Sequence, residues 1–418
     1  MVASTDIKFF VHTNNNAPQL QNAFGSMINV LDAALVNGIQ VGTVSSLTTS
    51  GKIVTAVFGT AHNLMPYQVV KIAGANQAEY NGEYRILSVP NATTLTFELA
   101  EVPSTTIATG TINCSLPPLG WEKPFSSNNP NGGGKAAYRS KNLLLPSRPF
   151  LRVVDELDPA YTATYAKYAK VGIVEDMTDI DTMLGVQAPF DSAAPNKNWV
   201  GTGSGTSAIN GWAKWYYARS RAATSSAQDT NSPDSGNRPW MLVGNGDYFY
   251  FFPSTIPENF VASAYGFGSY NSLLNTDSSN TFLSAAASNT TASTSTTPRT
   301  IIGSSLNNTA DLFLQRGYAQ NAIYTTANLI SLHVASIPTH SGTSNYIGDQ
   351  SLANVVPFAP VFINESVLRG ELLNIYYVFQ IRPYGNLTIV EKNSVLYIAK
   401  NITSSGVEGQ IMLKIGEL

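Results

Sequence analysis

Charge is scarce in this sequence. Lys and Arg number 24 and Asp and Glu 27, together 12% of 418 residues, about half the share of an ordinary soluble domain. With a formal net charge of −3 there is no basic field of the kind that holds nucleic acid. The single cysteine, Cys114, excludes an intrachain disulfide framework and any multi-cysteine metal site. The four histidines, His12, His62, His333 and His340, include no pair at the i, i+4 spacing of a helical metal site. No run approaches the length of a membrane-spanning helix. The N-terminus lacks a basic segment followed by a long apolar run, so no signal peptide is expected. The sequons at Asn91, Asn289, Asn386 and Asn401 then read as Asn/Thr-rich composition rather than glycosylation sites. A G-x-S-x-G elbow is also missing.

Apolar residues are not scarce. They make up 43% of the chain, enough to bury a sizeable core. The surface must then be coated with Ser, Thr, Asn, Gln and Gly. Such a polar, uncharged coat is common in adhesins, viral shells and fibres.

"STDIKFFVHTNNN" reads as a strand ending in a polar turn. In the next segment Leu20, Ala23, Phe24, Met27, Ile28, Leu31, Ala34 and Leu35 recur at helical spacing. Pro18 suits the first turn and Gly38 the stop, which predicts an amphipathic helix from about residue 18 to 36. Residues 39–115 change to short β-branched runs split by Gly, Pro and Asn. Five or six strands are expected there, forming a small barrel or sandwich. "YNGEY" predicts a hairpin with Asn81-Gly82 in a type I′ turn, and "PNATT" marks the next turn.

Residues 116–418 continue as short apolar runs between turns, without βαβ alternation. The reading is a mostly β fold of sandwich- or barrel-like modules with one amphipathic N-terminal helix. It divides into an N-terminal strand and helix (1–38) packing on the main domain, an inserted β module (39–115), and a main β-rich domain (116–418). The low-complexity stretch 277–300 is expected to be an exposed loop, and "NNPNGGGK" at 128–135 a flexible one.

Candidate chemistry is thin. "NPNGGGKAAY" has the glycines of a phosphate loop but not the spacing, and Ala136 follows Lys135 where Ser or Thr is needed. "GTGSGTS" at 201–207 lacks a preceding strand and reads as a loop. Glu175, Asp176, Asp179 and Asp181 gather four carboxylates in "EDMTDID". Paired carboxylates serve glycoside hydrolysis or bind a hard cation. The spacing is not that of an EF-hand, and a turn whose Asp side chains cap backbone amides is favoured. His62 suits loop capping in its turn, and His333 a cross-strand position. The aromatic clusters "GWAKWYYARSR" and "YFYFF" read as core or interface.

"GKIVTAVFGTAHNLMPYQVVKIAGANQAEYNGEYRILSVPNATTLTFEL" resembles a β module found in tailed-bacteriophage virion proteins and labelled for its likeness to the FCCH domain of ubiquitin-activating enzymes. In phage chains the label implies shape and not ubiquitin chemistry. The flanks resemble a family of phage structural proteins. The resembling blocks run in order: "GSMINVLDAALVNG", "GWEKPFSS…KAAYRS", "LRVVDEL", "VGIVEDMTDID", "RPWMLVGNGDYFYFF" and "LRGELLNIYYV". The last block usually reads RG-x-x-PG in that family, and here Leu373-Asn374 stand in place of Pro-Gly. The family carries no catalytic residues to transfer.

The resulting expectation is a structural, non-enzymatic virion component of a tailed phage, assembled in the host cytoplasm. The tail or baseplate is the first placement and capsid decoration the second. A third reading is a polysaccharide-binding or depolymerising protein using the 175–181 carboxylates with Trp212, Trp215 or Trp240. Expected partners are further copies of the chain and other virion proteins, with a host-surface glycan as a candidate. No nucleic acid, membrane span, cofactor or metal is expected. The candidate interface residues are Trp121, Phe125, Trp212, Trp215, Tyr216 and Trp240.

Overall fold

The computed structural model describes residues 3–199, 201, 213–220, 231–257, 262–286, 312–330, 356–378, 382–404 and 407–418. The chain is mostly β. Strand β1 (Lys8–Val11) is followed by a short α-helix, α1 (Ser26–Leu31), which runs into a π-helical segment, Asp32–Asn37. Six strands then close into a barrel: β2 (Ile39–Ser50), β3 (Ile53–Phe58), β4 (Val69–Ala75), β5 (Gly82–Asn91), β6 (Thr94–Glu98) and β7 (Gly110–Leu116).

The next six strands form a second sheet: β8 (Trp121–Asn128), β9 (Gly133–Ser140), β10 (Phe150–Glu156), β11 (Lys167–Asp179), β12 (Thr182–Ala188) and β13 (Lys214–Ala218). The remaining strands are β14 (Trp240–Gly244), β15 (Tyr248–Pro253), β16 (Tyr265–Ser269), β17 (Asn271–Ser272), β18 (Thr281–Ser284), β19 (Leu312–Leu314), β20 (Thr325–Leu329), β21 (Phe358–Asn364), β22 (Leu368–Val378), β23 (Ile389–Lys392), β24 (Val395–Ser404) and β25 (Val407–Glu417). With β1 they make a 13-stranded sheet, in which β1 pairs with β14.

Three β layers result. Alternate residues of β14 and β15 go to opposite faces, as a strand's period of two requires. Trp240, Leu242, Phe249 and Phe251 face the second sheet, where they meet Trp121, Leu151, Val171 and Trp215. Met241, Val243, Tyr250 and Phe252 face the other way, against Ile375, Ile398, Ile411 and Leu413 of the same long sheet. β14 and β15 are therefore covered on both faces. That explains why "WMLVG" and "YFYFFP" are continuous apolar runs rather than alternating ones.

The helix is shorter than its periodicity predicts. Leu20 forms a bridge to Arg238, and the Pro18 carbonyl accepts the Trp240 indole N–H at 2.9 Å, so residues 18–25 are held as irregular chain. Gly25, at φ 89, turns the chain into the helix. Gly38 ends the helical segment as expected, its N–H reaching the Ala33 carbonyl.

Other expectations are corrected. The β4–β5 connection is not a two-residue hairpin: Asn81 is extended, at φ −87 and ψ 127. Its side chain instead brackets Ala75, accepting from the N–H at 3.0 Å and donating to the carbonyl at 2.8 Å. The predicted turn at "PNATT" is present, with Asn91 opposite Thr94 and the Asn91 side chain accepting from Thr93 N–H. Residues 129–132 form a tight connection between β8 and β9, closed by bonds between Asn129 and both Gly132 and Gly133. The front of the 277–300 stretch is no loop, because Thr281–Ser284 is a fully buried strand. Residues 287–300 lie outside the described residues. The Leu373-Asn374 departure is accommodated by Asn374 itself. It sits in the left-handed region at φ 59, which Asn tolerates, and its amide donates to the Tyr248 hydroxyl at 2.7 Å.

Candidate functional site

The residues proposed as interface are mostly interior. Trp121, Trp215, Tyr216 and Trp240 are at most 2% exposed, so they are corrected from interface to core. Trp215 stacks on Tyr265, with ring centroids 5.8 Å apart. Trp121 meets the edge of Phe249 at 5.4 Å. Both of these indole N–H groups donate to a carbonyl, Trp121 to Asn245 at 2.9 Å and Trp215 to Ser284 at 2.7 Å, as is usual for that group when buried. Phe125 is half-buried, against Phe150 on the outer face of the second sheet. Trp212, His333, His340 and residues 202–207 lie outside the described residues.

The carboxylates of 175–181 are dispersed among separate partners. Glu175 pairs with Arg316 and accepts Val186 N–H at 2.7 Å. Asp176 accepts its neighbour Met177 N–H, and Asp179 accepts Asp181 N–H at 3.1 Å. Asp181 bridges Arg152 at 2.5 Å and Lys135 at 2.6 Å. Partial burial works against its charge, but these two cations hold it below the usual carboxylate range. Among the described residues no group of three His, Cys, Asp or Glu side chains is placed to hold a metal ion. His62 is buried and its Nδ1 accepts Leu64 N–H at 3.0 Å, which is loop capping. Cys114 is buried in the barrel, which pushes its thiol up to about 12.

A cleft of about 200 Å³ opens beside the Lys141–Pro149 loop, lined in part by Ser140, Arg148, Asp247, Phe267 and Thr281. It is smaller than the usual ligand pocket. Arg148 is already engaged with the Ser140 carbonyl and Glu122, and Asp247 with Asn142.

The surface is more informative around residues 315–324, the connection from β19 to β20. This connection is tied down on several sides. Gln315 accepts the Ser147 hydroxyl at 2.8 Å, and Arg316 pairs with Glu175 of β11. Tyr318 N–H donates to Glu365 at 3.2 Å, Gln320 donates to Asp277 at 3.2 Å, and Tyr324 bonds the Phe190 backbone. Beneath lies a buried ion network. Arg369 donates to Asp277 at 2.9 Å and pairs with Glu365, while the Tyr270 and Ser272 hydroxyls each reach Asp277 at 2.8 Å. Burial opposes the charge on Asp277, but the bonds from Arg369, Ser272 and Tyr270 outweigh it and keep the carboxyl below its usual range.

Around this braced connection, large apolar side chains stay exposed: Leu184, Phe190, Leu273, Tyr318, Ile323 and Leu368. Ile323 is 68% exposed. Leu143 and Leu144, at 78% and 92%, project from the loop that Ser147 ties to Gln315. Scattered apolar residues need no explanation, but exposed apolar side chains on segments bonded to one braced connection make that region a candidate contact surface. The sequence carried one signal of it, three consecutive leucines at 143–145 between Lys141 and Pro146. The other six come from five separate elements, and no local pattern joins them.

No protein-family model matches the chain, and no curated protein matches it. Among solved structures it is similar to "Phage phi92 endosialidase", at a TM-score of 0.16 and 10% identity over 91% of this chain and 51% of that one. The chain thus spans about half the length of that structure. At this score the likeness carries no argument about fold or activity.

Proposed function

We propose that the chain is a structural component of a tailed-phage virion, in the tail or baseplate, which assembles through the apolar face around residues 315–324. The observation that carries assembly is this face: exposed Tyr318 and Ile323 on a connection braced by the Arg316–Glu175 and Arg369–Asp277 pairs, with exposed Leu and Phe side chains on the segments tied to it. A pre-ordered apolar surface loses little conformational freedom on docking. The phage assignment rests on the ordered sequence resemblance across the chain, and the tail placement on the adhesin-like Ser/Thr/Asn coat. A non-enzymatic role is supported by the carboxylates of 175–181, each occupied by a cation or a backbone amide.

The experiment counts copies of the chain in purified virions and locates them in a virion map. Tail density would support the reading, capsid density would move the protein to the decorating role, and absence from virions would end both. In parallel, Ile323→Glu with Tyr318→Glu should abolish incorporation while leaving the melting temperature within a few degrees, since both side chains are exposed. Incorporation that is unaffected would remove this face as the contact.

A further inference from the structure

Strand β1 is the outer strand of the large sheet. Its even-numbered residues serve the ladder: Phe10 lies opposite Leu242, and His12 N–H donates to the Trp240 carbonyl at 3.0 Å. Alternation then turns the backbone groups of Ile7, Phe9 and Val11 away from the sheet. The segment is "IKFFV", rich in β-forming apolar residues, with one charge and no proline. A bare edge of that composition is a template for another strand.

Here the edge is not bare. The Phe9 carbonyl accepts Gln68 Nε2 at 2.9 Å, and the Ile7 carbonyl accepts Arg85 Nη2 at 3.1 Å. Val11 N–H donates to Asn14 Oδ1 at 2.9 Å, and Asn14 and Gln68 donate to each other, both at 3.0 Å. Gln68 immediately precedes β4 and Arg85 lies in β5, so both caps come from the barrel. Both are buried. Arg85 also takes the carbonyls of Ser4 at 2.6 Å and Tyr67 at 2.8 Å. These side chains aim at the backbone groups of an edge. They satisfy them as a neighbouring strand would, but offer no ladder to continue.

We propose that the barrel of residues 39–116 guards this edge, ending the large sheet with side-chain caps and so keeping β1 from pairing with β1 of a second copy. Two such strands related by a two-fold axis are self-complementary, each supplying the outward groups the other lacks. Dense packing in an assembly would make this mispairing a constant hazard, which is where a built-in guard matters. The role is separate from the apolar face around residues 315–324.

The test uses the full chain carrying Gln68→Leu and Arg85→Met, which remove both caps at similar volume. The expected result is faster hydrogen exchange at the Val11 amide and a mass by light scattering that rises with concentration. Adding Val11→Pro, which deletes an outward N–H without touching the ladder, should restore the wild-type mass. A folded double variant with wild-type mass at every concentration would overturn the proposal. So would self-association that Val11→Pro leaves unchanged. If the double variant does not fold, Gln68→Leu alone is read in the same way, and unchanged exchange and mass there would also overturn it.

Discussion

Asn14 and Gln68, 54 residues apart, donate to each other's side-chain oxygens at 3.0 Å in both directions. The pair joins the turn after β1 to the barrel. Gln68 Oε1 also accepts Met65 N–H at 2.9 Å and Asn14 Nδ2 donates to the Asn63 carbonyl at 2.9 Å. Removing one member leaves buried partners unsatisfied, at about 1–3 kcal/mol. Asn14→Ala is therefore expected to lower unfolding free energy by that amount, as read by denaturant titration. An unchanged midpoint would show that water replaces the amide.

The barrel encloses Leu47, Val54, Ile72, Ile86 and Phe97, all fully buried. Its first and last strands lie side by side, with Ile39 opposite Leu116. Residues 39–116 expressed alone should therefore melt cooperatively. A chain without a thermal transition would show that the barrel depends on the rest of the protein.

Trp215→Ala is expected to cost about 3–5 kcal/mol, as other large core truncations do, because its ring packs on Phe249, Phe251 and Tyr265. Ile323→Ala, at an exposed position, should stay within about 0.5 kcal/mol. Equal effects at the two sites would contradict the division into core and surface.

Asp155 provides a pH signature. It is fully buried and accepts from Gly25 N–H at 2.8 Å, Met27 N–H at 3.1 Å and the Tyr217 hydroxyl at 2.6 Å. Burial pushes its carboxyl up to about 6, against the pull of these bonds. The folded state thus holds the proton more tightly than the unfolded chain does. This group's contribution to stability rises as pH falls from 7 to 4, by about 3 kcal/mol for a shift of two units. The Asp155→Asn variant lacks that contribution. Subtracting its pH–stability curve from that of the wild type should expose the slope, and a flat difference would refute it.

Asp181 and Asp179 should separate. Asp181→Asn takes the counter-charge from Arg152, whose side chain is only 5% exposed, at an expected cost of about 1–3 kcal/mol. Asp179→Asn keeps an oxygen that can accept Asp181 N–H, loses only the charge, and should be near neutral. Neither should abolish an activity. A polysaccharide-cleavage assay positive for the wild type and negative for both variants would reverse the non-enzymatic reading.

Much of this protein is determined by the sequence alone, because strand periodicity and turn chemistry act over a few residues. The alternation after Gly38, the Asn91 turn and the continuous runs at 240–253 announce their strands without help from distant residues. The tertiary structure decided what those strands face. Trp121 and Trp215 became core because the face of the second sheet that carries them packs on the large sheet, and Trp240 because β14 is covered on both faces. The helix lost its first turns because Pro18 and Leu20 found partners near residue 240. Asn81 served as a side-chain bracket rather than a turn residue. The caps on β1 and the apolar face around 315–324 join residues tens to hundreds of positions apart. A local pattern sets the shape of a segment, but exposure depends on what packs against it, and that is settled only when the whole chain closes.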